Sequence, residues 1–509
     1  MSSKKQMGIG AIMSYASIAI NIVVGLLYTP WIIGQIGDSD YGLYTLANSL
    51  ISLFIVDFGL STATSRYVSK YRSEGSQEKV NNFLGAIYKL FLIIDLIIFI
   101  ALFVAFFLID VIYVKLTPEE IERFKIVYII SASFAVINFP FLNLSGIINA
   151  YEKFIQLKFA DLLYRFLLVT ITIVTLILGG GLYALVTIHA AVGIVIIIYK
   201  LIVIKTTTPV KTNFRYSDKG LYKEIFKFSA WMTVITMSQR LIIGITPNIL
   251  GVVAASASTA IAVFGVVSQI EGYSYVITTA IKGMFLPKIT QIYSKNEHSK
   301  EINKLLISVG KYQAALNGLI IVGFALLGQP FIRMWLGETY LAAYYGLLLV
   351  LVPGFFYNSM QVAHTAVIVK NKIKWQALAE IVSGIVNIAL SFVMSYLWGV
   401  IGACVSILIA YIVRITILII IYKKVMKLEM GHFVLKCQLR MLIPVALCLL
   451  IGFPICNAIE VDSWILFVAI AIVISVVYLL LAFLVGFDRQ QRKGMATFLK
   501  NKLRKIKNK

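Results

Sequence analysis

The sequence predicts an all-α integral membrane protein with about 14 transmembrane helices. Hydrophobic residues make up 60% of the 509 residues and the mean hydropathy is +0.90, whereas soluble domains are typically about 45–50% apolar. Apolar runs of roughly 20 residues, the length that crosses a bilayer, recur along the whole chain. Lysine and arginine concentrate in alternate loops between these runs, which is the charge pattern of a multi-pass membrane protein.

The predicted spans follow one another with only short polar loops between them. Each run is close to the length that a helix needs at 1.5 Å per residue. The longest loop on the outward side lies near residues 109–123, so no extracytoplasmic domain is expected. The predicted spans are residues 9–33, 43–65, 84–108, 124–148, 159–179, 182–204, 228–252, 259–282, 305–328, 341–368, 376–397, 400–422, 441–458 and 464–486.

The formal net charge of +23 is explained by membrane topology. Basic loops alternate with outward loops in which acids outnumber bases, so both termini are predicted to be cytoplasmic. The tail Arg489–Lys509 carries nine basic residues and is expected to touch anionic lipid headgroups. This distribution favours membrane lipids, and not nucleic acid, as the partner of the positive charge.

An internal repeat predicts two lobes. At an offset of 219 residues, Asn21 aligns with Arg240, and at an offset of 222 the segment 71–84 aligns with 293–306. Because the repeat contains six spans, both copies have the same orientation, and their pseudo-two-fold axis should run along the membrane normal with a cleft between the lobes. The predicted organisation is a six-helix lobe at 1–210, a second at 222–430, and two extra helices with a basic tail at 431–509.

Several segments carry a resemblance to a known family. They are Pro30 with the following GDSDYGLYTLANS (37–49), VDFGLSTATSRYVSKY (56–71), GLYALV (181–186) and WGVIGACVS (398–406). Together with the span count, these segments resemble the polysaccharide-export, Wzx-like branch of the multidrug/oligosaccharidyl-lipid/polysaccharide flippase superfamily. The resemblance implies a flippase that moves a polyprenyl-pyrophosphate-linked oligosaccharide from the cytoplasmic to the outer leaflet by alternating access. It also implies a polysaccharide polymerase and glycosyltransferases as candidate partner proteins.

Three other functions compete with this interpretation. A multidrug exporter of the same superfamily should have an acidic cavity, and a membrane polysaccharide polymerase or ligase should have a long outward loop with arginines. A membrane scaffold is disfavoured by the charges inside the spans. The sequence contains no GxxxxGK[ST] motif and no nucleophile–base pairing, so we expect neither an enzyme nor a bound cofactor.

Arg240 is the leading candidate for substrate binding. It lies in the apolar run 231–247, about 20 Å along a helix that enters near Lys227. On a continuous helix over 228–252, Thr233, Thr236, Arg240, Gly244 and Pro247 would share one face. A guanidinium stays charged, so this face is expected to line a polar cavity that binds an anionic headgroup. The alternative is an arginine buried for architecture beside an acid.

Four other residues are predicted to contact the substrate, and three acids are predicted to act in ion coupling or gating. Glu271, at a similar depth to Arg240, is expected to pair with it, either permanently or only in one transport state. Asp95 is a candidate proton carrier, and Asp57 is either functional or a helix-packing residue. Lys89 and Lys311 form a basic rim for pyrophosphate or extend to the headgroups. The full set is Asn21, Arg66, Lys89, Lys311 and Arg240 for substrate binding, and Asp57, Asp95 and Glu271 for coupling.

The remaining embedded or interfacial charges are expected to be local. Asp161 and Arg165 are four residues apart and predict an i,i+4 ion pair on one helix. Glu380 is predicted to be interfacial, and Arg414 to extend to the cytoplasmic headgroups.

Overall fold

The computed structural model describes residues 3–280, 289, 291–293, 298–370, 372–495 and 497. Within these ranges every regular element is a helix, and eleven helices are long and apolar enough to cross a membrane. The predicted fold class is confirmed, and the count of 14 spans stays a prediction. Half of the predicted cytoplasmic loop 283–304 and the end of the basic tail lie outside the described residues, as does the side chain of Ser299.

The described contacts divide the chain into two compact units. The first unit comprises Met1–Gly265 and Ile388–Gly399, and the second comprises Val266–Asn387 and Val400–Lys509. The predicted lobes at 1–210 and 222–430, the additional segment 431–509 and the pseudo-two-fold axis stay predictions.

The first unit is a bundle of helices joined by short turns. Local caps fix several helix starts: Ser76 accepts a hydrogen bond from the Lys79 amide at 3.3 Å, and Thr117 and Glu120 form a reciprocal capping box. A 3-10 turn over Phe139–Leu142 follows α5, at Pro140. The helices are α1 (Ser3–Ile36), α2 (Asp38–Phe54), α3 (Leu60–Ser73), α4 (Gln77–Ile112), α5 (Pro118–Asn138), α6 (Asn143–Ala150), α7 (Phe154–Ile177), α8 (Leu182–Thr207), α9 (Lys219–Arg240), α10 (Thr246–Val253) and the start of α11 (Ala257–Thr279).

The second predicted span is broken, which corrects the continuous helix predicted over 43–65. Helix α2 ends at Phe54 and α3 begins at Leu60. Between them Phe58 and Gly59 have φ values of +53° and +68°, a left-handed conformation that ends a right-handed helix. Asp57 stabilises the turn that precedes α3, because its Oδ1 accepts a hydrogen bond from the Gly59 amide at 3.0 Å.

The seventh predicted span is also broken, so the single helical face predicted around Arg240 is wrong. Helix α9 ends at Arg240, residues 241–245 form turns, and α10 starts at Thr246 with Pro247 in its first turn. Proline is compatible with a helix start but removes a hydrogen bond from a helix interior. Gly244 and Pro247 therefore do not continue the α9 face of Thr233, Thr236 and Arg240.

The second unit contains the rest of α11 and the following helices, except for Ile388–Gly399, which belongs to the first unit. In the 52-residue helix α15, Gly399 has φ +56° and ψ −131°, which divides it near the predicted boundary between spans eleven and twelve. The C-terminal helices contact α12, where the Tyr478 hydroxyl donates to the Ala315 carbonyl at 3.1 Å. The helices are α12 (His298–Leu336), α13 (Leu341–Asn358), α14 (Gln361–Val369), α15 (Ile373–Lys424), α16 (Met430–Phe433), α17 (Arg440–Asn457) and α18 (Trp464–Leu481).

Candidate functional site

Arg240 and Asp57 lie at the two helix breaks of the first unit. Arg240 is the last residue of α9, Asp57 precedes the first residue of α3, and both side chains are half-buried. Asp57 is the carboxylate that attracts the Arg240 guanidinium electrostatically. The structure therefore brings together one predicted substrate-binding residue and one predicted gating residue, a pairing that the sequence analysis did not propose.

A buried chain of hydrogen bonds holds the break after α9 in place. The Ser49 hydroxyl donates to the Gly244 carbonyl at 2.6 Å and accepts from the Asn248 amide at 2.7 Å. The Tyr113 hydroxyl donates to Asn248 Oδ1 at 2.8 Å. Buried polar groups that are fully bonded fix a local geometry, because any displacement leaves a donor or an acceptor unsatisfied. This network fixes the turns that directly follow Arg240.

The Arg240 guanidinium keeps hydrogen-bonding capacity in this setting. Its Nη1 is buried and has no hydrogen-bond partner among the described residues. Guanidinium presents five donors in a plane and recognises carboxylates and phosphates with two parallel bonds. An anion with several oxygens is the chemical partner that such a group can accept.

Glu271 belongs to the second unit, where the cation that attracts it is Arg414. Its predicted pairing with Arg240 stays a prediction. Tyr275 and Tyr411 share the electrostatic environment of Glu271.

Arg414 forms a buried ion pair, so its predicted extension to the headgroups is wrong. Its Nη2 donates to Glu380 Oε1 and to the Tyr357 hydroxyl, and only 4% of the Arg414 side chain and 0% of the Glu380 side chain are exposed. The guanidinium carbon lies 3.9 Å from the centroid of the Tyr357 ring. Glu380 is consequently not the interfacial acid that was predicted. A buried charge is retained only with a close counter-ion, and here each partner is the counter-ion of the other.

The sequence held a signal for this pair. Glu380 precedes Gly399 by 19 residues and Arg414 follows it by 15, so two antiparallel spans joined at Gly399 place them at similar depths. Aromatic side chains extend the cluster: the Tyr422 hydroxyl lies 2.6 Å from His364 Nδ1, and the rings of Tyr357 and His364 are 4.8 Å apart.

Lys311 lies in an ion network that attaches the C-terminal helices to α12. Its side chain is fully buried, and its Nζ donates to Asp488 Oδ2 at 2.7 Å. Arg440 donates to the other oxygen of Asp488 and, at 3.0 Å, to the Val485 carbonyl. Burial by itself raises the pKa of the Asp488 carboxyl, but Lys311 and Arg440 outweigh it and hold that pKa below its usual value. Substrate contact by Lys311 stays a prediction.

The other predicted site residues have contacts of their own. Lys89 Nζ donates to the Tyr216 carbonyl at 3.0 Å, and the Arg66 guanidinium lies 5.9 Å from the ring of Tyr67. Asp95 Oδ1 is buried without a hydrogen-bond partner among the described residues. The Asn21 amide lies 3.5 Å from Ser17 Oγ and borders a cavity in the first unit.

The predicted pair of Asp161 and Arg165 is wrong. Asp161 bonds Lys158 at 3.0 Å, one turn earlier on α7. Arg165 instead lies beside Tyr28, with its guanidinium carbon 6.0 Å from the ring centroid. Sequence spacing allowed both pairs, and the direction of the side chains decided between them.

Comparison with known proteins agrees with this architecture. The family model described as polysaccharide biosynthesis protein matches residues 8–293, more than half of the chain. The membrane protein EpsK of Bacillus subtilis (strain 168) is 23% identical over 513 residues, covering 93% of this chain and 94% of EpsK. A protein of Shigella flexneri named as an O-antigen transporter is 26% identical over 190 residues, which cover 36% of this chain and 43% of that protein.

Solved structures show the same fold. The lipid II flippase MurJ in an inward closed conformation superposes with a TM-score of 0.72 at 18% identity, covering 93% of this chain and 98% of MurJ. An inward-facing multidrug transporter of the MATE family gives a TM-score of 0.68 at 14% identity, covering 82% and 99% of the two chains. At these identities the likeness concerns the fold alone. From the match over more than half of its length, the chain belongs to the polysaccharide biosynthesis protein family.

Proposed function

We propose that this protein is a flippase that moves a polyprenyl-pyrophosphate-linked oligosaccharide from the cytoplasmic to the outer leaflet of the bacterial cytoplasmic membrane. Three comparisons support the substrate class: the family of polysaccharide biosynthesis proteins, the relative named as an O-antigen transporter, and the fold shared with the lipid II flippase. Translocation makes and breaks no covalent bond, so the proposal needs no catalytic residue and no cofactor.

One observation carries the proposal: Arg240 has a permanent charge and an unsatisfied buried donor at a helix break inside an apolar bundle. In the substrate-free protein, Asp57 partly neutralises that charge. A pyrophosphate that enters the site forms direct, charge-assisted hydrogen bonds with the Arg240 guanidinium. Asp57 attracts the same guanidinium only electrostatically. Asp57 remains bonded to the Gly59 amide, so it is held in place when the headgroup leaves.

Transport then requires two alternating states and a source of energy. In our proposal the two six-helix lobes rock about the substrate, with both termini cytoplasmic, and the C-terminal helices stay attached through Asp488. Glu271 is the proposed proton-carrying group, because it and Glu380 both interact with the cation Arg414. Protonation of Glu271 would remove one negative charge from this cluster and change the energy of the two states. Asp95 is a second proposed coupling acid.

The proposal also concerns partners. Glycosyltransferases must supply the lipid-linked substrate on the cytoplasmic side, and a polysaccharide polymerase must consume it on the other. The surrounding lipids hold the polyprenyl chain during translocation.

The test uses the full chain in vesicles that carry a fluorescent polyprenyl-pyrophosphate oligosaccharide in the inner leaflet. An impermeant glycosidase outside the vesicles measures how fast the oligosaccharide reaches the outer leaflet. With the wild-type protein we expect the oligosaccharide to reach the outer leaflet rapidly. With Arg240→Ala it should appear there no faster than in vesicles that carry the substrate but no protein. Lys125→Gln is the control, because Lys125 already pairs with Asp110. Wild-type protein that leaves the substrate inside under every imposed ion gradient would contradict the proposal.

The MATE-like fold favours one alternative function, export of organic cations. The same vesicles loaded with a cationic dye test it. Dye efflux without oligosaccharide exposure would select the exporter.

A further inference from the structure

The first unit contains a cavity of about 470 Å³ that is distinct from the helix breaks at Arg240 and Asp57. Side chains from α1, α5, α6, α7 and α8 line it. Its polar lining includes Asn21, Asn138, Ser145, Arg165 and Lys200. The volume lies within the range of about 300–1,000 Å³ found for small-molecule sites.

The cavity is positively charged. Asp161 is the acid on its lining, and Lys158 already neutralises it through an ion pair at 3.0 Å. Lys200 Nζ donates to the neutral Ser145 hydroxyl at 3.0 Å. Among the described residues no carboxylate forms an ion pair with Arg165, and its buried Nε has no hydrogen-bond partner. Asp161 also attracts the Lys200 ammonium group electrostatically, but among the described residues no carboxylate forms an ion pair with Lys200. The lining therefore carries two cations and a single acid that is already paired with Lys158.

The chemistry of the lining selects the ligand. A guanidinium, an ammonium group, two side-chain amides and a hydroxyl together supply many hydrogen-bond donors, which favour a ligand rich in acceptor oxygens. Phosphoryl oxygens accept several such bonds at once, and two cations offset their charge. A cationic drug would meet repulsion here.

The depth of the cavity indicates when a ligand would reach it. Arg165 lies eleven residues after the start of α7, about 16 Å along the helix, and Lys200 lies seven residues, about 10 Å, before the end of α8. With the proposed topology, both of these helix ends are cytoplasmic. The two cations then lie in the cytoplasmic half of the bundle, on the side where a lipid-linked precursor is made.

We propose that this cavity is a phosphoryl-binding site that captures the pyrophosphate of the lipid-linked substrate from the cytoplasmic side. This inference rests on the proposed function. Arg165 and Lys200 bind phosphoryl oxygens, and the amides of Asn21 and Asn138 donate to the same group. The competing explanation is that Arg165 only supports packing through its contact with the Tyr28 ring.

The experiment measures binding to the purified full chain in lipid nanodiscs. The probes are polyprenyl pyrophosphate, inorganic pyrophosphate and polyprenol, which lacks phosphate. We expect Arg165→Gln and Lys200→Gln each to weaken polyprenyl pyrophosphate binding about 10- to 100-fold, the range for the loss of a charge-assisted hydrogen bond. Arg165→Lys should recover part of the affinity, whereas a packing role would not depend on the charge.

The matched control is Lys205→Gln, an exposed cation on the same helix as Lys200 that does not line the cavity. It should bind polyprenyl pyrophosphate as the wild type does. Inorganic pyrophosphate bound equally well would show that the site serves the free anion and would overturn lipid capture. If Arg165→Gln does not fold, Lys200→Gln decides, and wild-type affinity in that variant overturns the proposal.

The same variants in the flipping assay separate this inference from the proposed function. If wild-type protein flips the substrate and Lys200→Gln binds it normally, only the cavity assignment fails. If wild-type protein does not flip the substrate at all, the proposed function fails first.

Discussion

Arg414 and Glu380 form an ion pair in the second unit with almost no exposure of either side chain. The Tyr357 hydroxyl accepts a hydrogen bond from the same guanidinium nitrogen, and the ring lies under the guanidinium. Removing one member of such a pair leaves a buried charge without a counter-ion.

We therefore expect Glu380→Ala to destabilise the protein by about 3–5 kcal/mol, the usual cost of breaking a buried pair. The double variant Glu380→Ala with Arg414→Met should recover much of this loss, because the guanidinium is removed together with the carboxylate that bonds it. Thermal unfolding of the purified variants in detergent measures both effects.

The control is the pair of Arg333 and Glu338, whose side chains are 57% and 67% exposed. Glu338→Ala should cost less than about 1 kcal/mol. A Glu380→Ala variant as stable as Glu338→Ala would show that Arg414 has another counter-ion.

A second prediction concerns Arg240 and Asp57. Arg240→Ala should abolish oligosaccharide export at normal membrane abundance, and Arg240→Lys should retain part of it because the charge survives without the planar fork. Asp57→Asn should still bind the substrate but export it at a different rate. The reason is that the variant removes the charge that competes with the substrate for Arg240. Complementation of glycan export, normalised to protein level, measures all three variants.

The double variant of Arg240→Ala with Asp57→Asn separates two roles for the pair. If the pair is only structural, the double variant should recover export. An abundant but inactive double variant would support substrate binding by Arg240. The equivalent cycle with Glu271→Ala tests the predicted pairing of Arg240 with Glu271.

A third prediction concerns Gly85 on α4. The chain that leads from α8 to α9 passes over this glycine, and the Asn213 amide donates to the Asn81 carbonyl at 3.0 Å. A Cβ at Gly85 would lie 1.8 Å from the Asn213 carbonyl oxygen, so Gly85→Ala should displace the segment. We expect a lower melting temperature and faster proteolysis near residues 208–218.

Gly323→Ala is the matched control, because a Cβ at this helical position meets nothing within 4 Å. It should be neutral or slightly stabilising, as alanine favours helix over glycine. Equal stability of the two variants would mean that the segment 208–218 can be displaced without a loss of stability.

A fourth prediction follows from the depressed pKa of Asp488. A carboxyl whose folded pKa lies below its unfolded value, about 3.9, stabilises the fold above that pH and loses the contribution as pH falls through the folded pKa. Asp488→Asn should therefore melt below the wild type at pH 7, and the difference should shrink as the pH falls below about 4. Melting curves from pH 7 down to values below pH 4 measure this change.

Glu74→Gln provides the comparison, since Glu74 and Lys79 form an exposed pair. It should change the melting temperature little at any of these pH values. A constant difference between Asp488→Asn and the wild type across the pH range would contradict the ionic role of Asp488.

The fifth prediction tests topology. In a cysteine-free background, single cysteines at Ser76 and Ser217 should react with an impermeant reagent only after the membrane is opened. Cysteines at Ser39 and Ser463 should react in intact spheroplasts. Labelling of Ser217 from outside would reverse the proposed orientation.

The sequence by itself determined the fold class and the family. Long apolar runs leave a chain no stable solution except helices in a bilayer, because every backbone polar group must be bonded internally. The motifs between residues 30 and 71 carried the resemblance that the family match over 8–293 confirmed. Both conclusions depend on residues that are close together in the chain.

Only the tertiary structure decided how the helices end and which charges meet. The break after Arg240 depends on Ser49, which lies almost 200 positions earlier and bonds both Gly244 and Asn248. Helical periodicity could not reveal this, because it describes one element at a time. The ion pair of Glu380 with Arg414 likewise depends on which side chains converge inside the bundle. The same is true of Arg165, for which no ion pair is found among the described residues. An ion pair is a three-dimensional relation, since its free energy depends on distance and burial and not on separation in sequence.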